Sequence, residues 1–203
     1  NKYPLTINYK YENGDQAAET HTENVNYNAN YSVISPTITG YTPNQEVVSG
    51  TMGTEPVTVN VIYTVNSYEI TTSVNPTAGG SVTGANSYNY GASATLTATA
   101  NEGYTFVNWT KNGSEVSTNA TYTFTVTETG EYSANFSLNS HLLTIHYVYS
   151  DQTPAANDYT ATLDYGAEYN VASPVITGYT ADQLNVSGNM PDEDVTVTVT
   201  YGT

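Results

Sequence analysis

Tyrosine is the residue type in this chain best suited to recognition chemistry, with 20 copies among 203 residues. A phenol ring offers an apolar face to the C–H surface of a sugar and a hydroxyl to its polar edge. Tyr41 and Tyr179 stand out because each follows a glycine, in the matching triplets Gly40-Tyr41-Thr42 and Gly178-Tyr179-Thr180. A carbohydrate platform would use these two first, and a packing tyrosine beside a turn explains the same pattern. Trp109, the only tryptophan, is the third candidate ligand-binding residue. Its spacing from Tyr104 and Phe106 breaks strict alternation, so the ring faces outward, ends a bent strand, or belongs to a core.

Other chemistries find less support. The run Asp192-Glu193-Asp194 follows Pro191 and could offer oxygens to calcium, which takes about six to eight around one point. Its counterpart in the first third is Thr54-Glu55-Pro56, and a site that loses two acids in the sister copy is not a shared property. His21, His141 and His146 lack metal-ligand spacing, and there is no cysteine to complete a zinc site. No Gly-x-Ser-x-Gly elbow holds a nucleophile, and no phosphate-cradling glycine loop ends in Lys-Ser or Lys-Thr. Paired carboxylates of the glycosidase kind meet only in three dimensions, and nothing in the sequence points to them. Lys2, Lys10 and Lys111, the only basic residues, sit at solvated positions, which argues against a buried Lys–Asn crosslink. The chain is expected to be non-catalytic, with no cofactor and no metal.

Charge narrows the partners. Nineteen acids against three lysines give a net charge of −16, which repels nucleic-acid backbones and anionic lipid surfaces. The acids are thinly spread through Thr-, Asn-, Tyr- and Val-rich sequence, so they serve solubility and do not form a disordered tail. No run of about 18 apolar residues is present to span a membrane. Nor does a basic segment followed by an apolar one open the chain as a signal peptide would. A segment excised from a larger protein is expected.

These residues are positioned by a repeat. Leu5-Thr6-Ile7 returns as Leu143-Thr144-Ile145, Ser35-Pro36 as Ser173-Pro174, Val48-Ser49-Gly50 as Val186-Ser187-Gly188, and Val57-Thr58-Val59 as Val195-Thr196-Val197. All pairs share one offset, the mark of an array of similar units. Leu5, Ile7, Tyr9 and Tyr11 share one phase of a period-two pattern, as do Val57, Val59, Val61 and Tyr63, so both segments read as half-buried strands. Asn13-Gly14 supplies a hairpin turn, and the stretch through Val25 and Tyr27 reads as the return strand. Tyr27 to Ile34 is the one place for a short helical turn, closed by Pro36. The middle third does not align with its neighbours. There, Gly79-Gly80 and Asn112-Gly113 mark turns between alternating segments. No amphipathic helix of about ten residues occurs anywhere. The expected architecture is mainly β, with little helix, as three small tandem domains over residues 1–65, 66–139 and 140–203.

At this point two families come into view. The opening Leu-Thr-Ile-x-Tyr, the central Ser-Pro-x-Ile-x-Gly-Tyr and the closing Val-Thr-Val-x-Val-x-Tyr resemble mucin-binding-protein (MucBP) repeats. The middle third resembles divergent internalin B-repeats. It does so through Asn-Pro-x-x-Gly-Gly-Ser-Val, Tyr90-Gly91 before Thr95-Leu96-Thr97-Ala98, Gly-Tyr-x-Phe-x-x-Trp, and a closing Ala134-Asn135-Phe136. Both resemblances imply small β-grasp-like (ubiquitin-type) folds in surface proteins of Gram-positive bacteria. The implied function is adhesion to host mucin-type glycans or a glycoprotein, with cell-wall attachment through regions outside this segment. A structural spacer that projects a distal binding domain is the alternative.

Overall fold

The computed structural model describes residues 1–203 as β-strands, turns and a single short 3-10 turn at Thr77–Gly79, with no α-helix. Two compact units form. One comprises Asn1–Thr71, Ala85–Thr95 and Thr123–Gly130, the other Thr72–Gly84, Leu96–Tyr122 and Glu131–Thr203.

In the first unit, β1 (Lys2–Tyr11), β2 (Gln16–Asn26), β3 (Asn30–Ile34), β4 (Tyr41–Pro43), β5 (Val47–Thr51) and β6 (Val57–Val65) follow in order. Gly14, at φ 90°, closes the β1–β2 hairpin with its N–H on the Tyr11 carbonyl at 2.9 Å. The main sheet runs β2-β1-β6-β4. Its centre is the parallel pair β1/β6, which registers Leu5 with Val57, Ile7 with Val59, Tyr9 with Val61 and Tyr11 with Tyr63. Successive side chains on a strand point to opposite faces, so Leu5, Ile7 and Tyr9 enter one core together with Val61, Tyr63, Val48 and Met52. A parallel pair cannot be joined by a tight turn. The connection from β2 to β6 therefore passes through β4 and a separate antiparallel ribbon of β3 and β5.

That ribbon replaces the helical turn expected over Tyr27 to Ile34. The chain turns at Asn28, with φ 61°, and then extends as β3. Tyr31 lies opposite Gly50 and Val33 opposite Val48. A side chain added at Gly50 would strike the Tyr31 hydroxyl, so the tyrosine ring covers the glycine across the strands. These cross-strand contacts outweigh a local turn preference that has no partner of its own. Beyond β6, the start of β7 (Ser67–Asn75) pairs with β9 (Asn86–Asn89), from Ser67 opposite Asn89 to Ile70 opposite Asn86.

In the second unit, β8 (Gly80–Thr83) pairs with the end of β10 (Ser93–Ala100). β11 (Tyr104–Lys111) lies between β12 (Ser114–Ser117) and β14 (Gly130–Leu138), and β13 (Thr121–Thr125) precedes the latter. The β11–β12 turn places Asn112 at φ 52° and Gly113 at φ 78°, the two positive values of a type I′ hairpin. A register shift between Phe106 and Asn108 bulges β11 against β14. The bulge explains the broken alternation in the sequence. Val107 is pushed toward solvent, and Phe106 and Trp109 come onto one side with ring centroids 6.1 Å apart.

The last module repeats the first. β15 (Ser140–Tyr149), β16 (Tyr159–Asp164), β17 (Glu168–Ala172), β18 (Thr180–Ala181), β19 (Asn185–Asn189) and β20 (Val195–Gly202) give a sheet β16-β15-β20-β18 and a β17–β19 ribbon. Its parallel pair registers Leu143 with Val195, Ile145 with Val197, Tyr147 with Val199 and Tyr149 with Tyr201. The core is again two aliphatics, two tyrosines, valines and one methionine.

Ile7 and Ile145 are fully buried at equivalent points. Ile7→Ala and Ile145→Ala should each cost about 2–5 kcal/mol in urea unfolding. Ile34→Ala, at a side chain 79% exposed, should change stability by no more than about 0.5 kcal/mol.

Candidate functional site

The repeated residues between the ribbon and the sheet build the same loop twice. In the first module the Ser35 hydroxyl donates to the Gln45 carbonyl at 2.6 Å, and its N–H donates to the Glu46 carbonyl at 2.9 Å. The Asn44 N–H donates to the Ile62 carbonyl at 2.8 Å, while the Asn44 side-chain oxygen accepts the Ile62 N–H at 2.9 Å. Gly40, at φ 80°, turns the chain so that the Tyr41 N–H reaches the Ile38 carbonyl at 3.1 Å. The Tyr63 hydroxyl closes the loop from below by donating to the Pro36 carbonyl at 2.5 Å. In the last module Ser173 reaches Gln183 at 2.7 Å, Asp182 takes the role of Asn44 at 2.9 Å, and Tyr201 reaches Pro174 at 2.6 Å. Burial pushes the Tyr63 and Tyr201 phenols above the usual tyrosine value, with neighbouring Tyr9 and Tyr147 respectively adding to it. Both hydroxyls therefore remain neutral donors.

This loop presents Tyr41 and Tyr179. Each ring leans on a tyrosine of the first strand of its module, Tyr41 on Tyr11 and Tyr179 on Tyr149, with centroids 4.7 Å apart and planes tilted by 52° in both pairs. Tyr41 is half-buried, whereas Tyr179 is 41% exposed. Beside each ring lies a cleft floored by the Ser-Pro segment. The first, about 350 Å³, is lined by Pro36, Ile38, Tyr41 and Glu46 among others. The second, about 120 Å³, is lined by the equivalent Pro174, Ile176 and Tyr179, with Leu184 in place of Glu46. Only the first reaches the size of about 300 Å³ and above typical of small-molecule sites. Trp109 is removed from the candidate ligand set. Its ring is fully buried, and its indole N–H donates to the Ala120 carbonyl at 3.1 Å, so it has no face to offer a ligand.

A second set of residues, not singled out in the sequence, meets at the module joints. In the first unit the Asn66 N–H donates to the Gly40 carbonyl at 2.8 Å, and its side-chain oxygen accepts the Thr42 hydroxyl at 2.6 Å. The Tyr90 N–H donates to the Asn66 carbonyl at 2.8 Å, and the Tyr90 ring occupies the space where a side chain on Gly40 would stand. In the second unit Asn139 makes the same bonds to Gly103 and Thr105 at 2.8 and 2.7 Å. Tyr165 bonds Asn139 at 2.9 Å and lays its ring over Gly103. The signal was present in the sequence, since Gly-Tyr-Thr occurs in all three thirds, at 40–42, 103–105 and 178–180.

The acidic run weighed for calcium also belongs to a joint. Asp192 accepts the Gly103 N–H at 3.1 Å, the Asn139 side-chain amide at 2.9 Å and His141 Nε2 at 2.8 Å, while Asp194 accepts the Leu142 N–H at 2.8 Å. Hydrogen bonds from Asn139 and then His141 hold the Asp192 carboxyl below the ordinary aspartate value.

Comparison with known proteins places these features. The MucBP domain family matches residues 4–64 and 143–202, and the divergent InlB B-repeat domain family matches residues 70–140. No curated protein matches. Among solved structures, the Bacillus anthracis TIE protein is similar over 99% of this chain at 12% identity and a TM-score of 0.57, which shows a shared fold. This chain spans 51% of that one. The type 2 repeat of the mucus binding protein MUB from Lactobacillus reuteri aligns at 13% identity and a TM-score of 0.32, covering 99% of both chains. Mub-RV aligns at 13% identity and a TM-score of 0.28, covering 68% of this chain and 98% of its own.

Asp192 gives a pH prediction. A carboxyl whose value is lowered by folding contributes stability above the unfolded-state value of about 3.9 and loses it as pH falls through the lower folded value. The second unit should therefore lose stability as pH drops below about 4. Asp192→Asn should flatten that acid limb in thermal melts taken across the range.

Proposed function

The chain belongs to the MucBP domain family, and from that premise we propose that it is a non-catalytic adhesin segment of a bacterial surface protein. In this reading it acts outside the cell and binds mucin-type glycans or a host glycoprotein through its two outer modules. The observation that carries the reading is the pair of equivalent clefts beside Tyr41 and Tyr179, each within a family match. An aromatic wall with backbone carbonyls and hydroxyls nearby suits a neutral, hydroxyl-rich ligand. The strong negative charge disfavours polyanions. The first cleft just reaches small-molecule size and the second falls short of it, so single-site affinity is weak and two sites on one chain gain by multivalency. Trp109 has no part in this binding.

The outer modules are read as β-grasp variants in which the β3–β5 and β17–β19 ribbons take the place of the usual helix. The central parallel pairs β1/β6 and β15/β20, flanked by antiparallel strands, support that reading. Three domains at 1–65, 66–139 and 140–203, attached to the cell wall through regions outside this segment, complete it. One observation favours the alternative of a spacer. Single residues, Asn66 and Asn139, separate β6 from β7 and β14 from β15, and both are hydrogen-bonded on each side. Such short joints suit a segment that holds another binding domain at a distance.

The discriminating experiment is binding of the purified chain to mucin and a glycan array, beside the Tyr41→Ala/Tyr179→Ala double variant. Saturable binding that the double variant weakens by at least about tenfold, a difference of about 1.4 kcal/mol, supports the adhesin, provided circular dichroism is unchanged. Absence of binding at about millimolar ligand would sink it and leave the spacer.

A further inference from the structure

Asn-Gly occurs twice in this chain, at Asn13-Gly14 and Asn112-Gly113, and the fold treats the two pairs in opposite ways. The pair carries its own chemistry. An asparagine side-chain carbonyl lies within reach of the next main-chain nitrogen, and a following glycine has no side chain to shield that nitrogen. At Asn13 the reacting groups are tied. Asn13 Nδ2 donates to the Asp15 carboxylate at 2.8 Å, Asn13 Oδ1 accepts the Asp15 N–H at 3.0 Å, and the Gly14 N–H donates to the Tyr11 carbonyl at 2.9 Å. This turn also closes a long hairpin, with β1 and β2 in register from Lys2 opposite Asn26 to Lys10 opposite Gln16. At Asn112 the same groups are free. The type I′ turn pairs its outer residues, Lys111 and Ser114, and leaves the Gly113 N–H unbonded. The Asn112 side chain is exposed and makes no hydrogen bond, and the space above Gly113 is open. The strand that follows is weakly held. β12 has four residues, lies at the edge of its sheet, and shifts register between Trp109 and Thr110 of its partner. Such a hairpin tip opens locally at less cost than the β1–β2 turn.

We propose that Asn112 is a site of spontaneous modification, turning to aspartate and isoaspartate through a ring formed with Gly113, while the fold preserves Asn13. The Gly113 main-chain nitrogen gives its proton to water and attacks the Asn112 side-chain carbonyl carbon. A new carbon–nitrogen bond forms, the bond to the side-chain nitrogen breaks, and that nitrogen leaves with a proton as ammonia. Water then opens the resulting succinimide at either carbonyl, so one water is consumed, one ammonia is released, and nothing is oxidised or reduced. Two consequences follow from where Asn112 stands. It lines a polar cleft of about 210 Å³ with Ser73, Thr110, Gly113, Glu131 and Ser133. Conversion replaces the amide donor of that cleft with a second carboxylate beside that of Glu131, and the two like charges repel. The isoaspartate product also adds a carbon to the main chain between Lys111 and Ser114, which the two-residue turn cannot absorb in register. The bond from Asn108 Nδ2 to Glu115 Oε2 at 2.7 Å, which ties β11 to β12, is lost with that register. Age therefore alters the middle third of the chain and spares the hairpin of the first module.

The test follows the full chain at neutral pH and body temperature by peptide mapping and mass spectrometry, beside the same chain unfolded in guanidinium chloride. In the folded chain Asn112 should turn to acid at least about tenfold faster than Asn13, because the Asn13 turn must first break its hydrogen bonds. Ammonia released should match the acid formed. In guanidinium chloride, where neither turn survives, the gap between the two sites should close. Amide exchange over Ser114–Ser117 should quicken in converted molecules while the β1–β2 hairpin keeps its protection. Conversion of Asn13 as fast as Asn112 in the folded chain would overturn the proposal. So would an Asn112 that stays an amide in the folded chain while it converts in the unfolded one. A preference for Asn112 that persists undiminished in guanidinium chloride would assign the difference to neighbouring residues and overturn the role given to the fold.

Discussion

Everything in the outer modules depends on a parallel strand pair that the chain cannot close with a hairpin. β1 and β6, and again β15 and β20, lie side by side in one sheet and send Leu, Ile, Val and Tyr side chains together into one core. The long return path between them must be tied down, because a loose crossover would leave backbone groups unsatisfied at the edge of that core. A buried phenol does the tying. Tyr63 and Tyr201 are packed as core residues along their rings and spend their hydroxyls on the Pro36 and Pro174 carbonyls. An unmade bond at such a site costs about 1–3 kcal/mol, which accounts for a tyrosine there where a phenylalanine would fill the same space.

The same crossover carries the surface that the molecule presents. The Gly-Tyr-Thr triplet leads from the tied proline into the short edge strand, and the rings of Tyr41 and Tyr179 rest there on Tyr11 and Tyr149. The glycine of the triplet has two reasons to be glycine. Its φ of 80° or 85° lies in the left-handed region, and at Gly40 a tyrosine ring takes the space a side chain would need. Asn66 then bonds its backbone and side chain to that loop at once, which leaves the connecting residue little freedom.

Charge is used sparingly in this chain. With no arginine and only three lysines, its joints rest on Asn, Thr and backbone groups, and Asp192 finds its partners in amides and a histidine. Most of the remaining acids are exposed and keep the surface soluble.

The sequence by itself determined the repeat, the strand phases and the turns, because each depends on spacing along the chain. Leu5, Ile7 and Tyr9 alternate into a core as their period requires, and Asn112-Gly113 turns because both residues tolerate positive φ. The family resemblance was legible for the same reason, since its motifs are strung along those strands. Tertiary structure alone decided what pairs at a distance. The bulge at Val107 turned Trp109 inward, since an extra residue in one strand shows only against its partner. The β3–β5 ribbon displaced a local turn at Tyr27 to Ile34 because its cross-strand contacts come from residues 13 to 21 positions away. Tyr41 and Tyr179 were visible as a pair in the sequence. That Tyr90 covers Gly40 and Tyr165 covers Gly103 is a fact of contact between modules, which no period along the chain encodes.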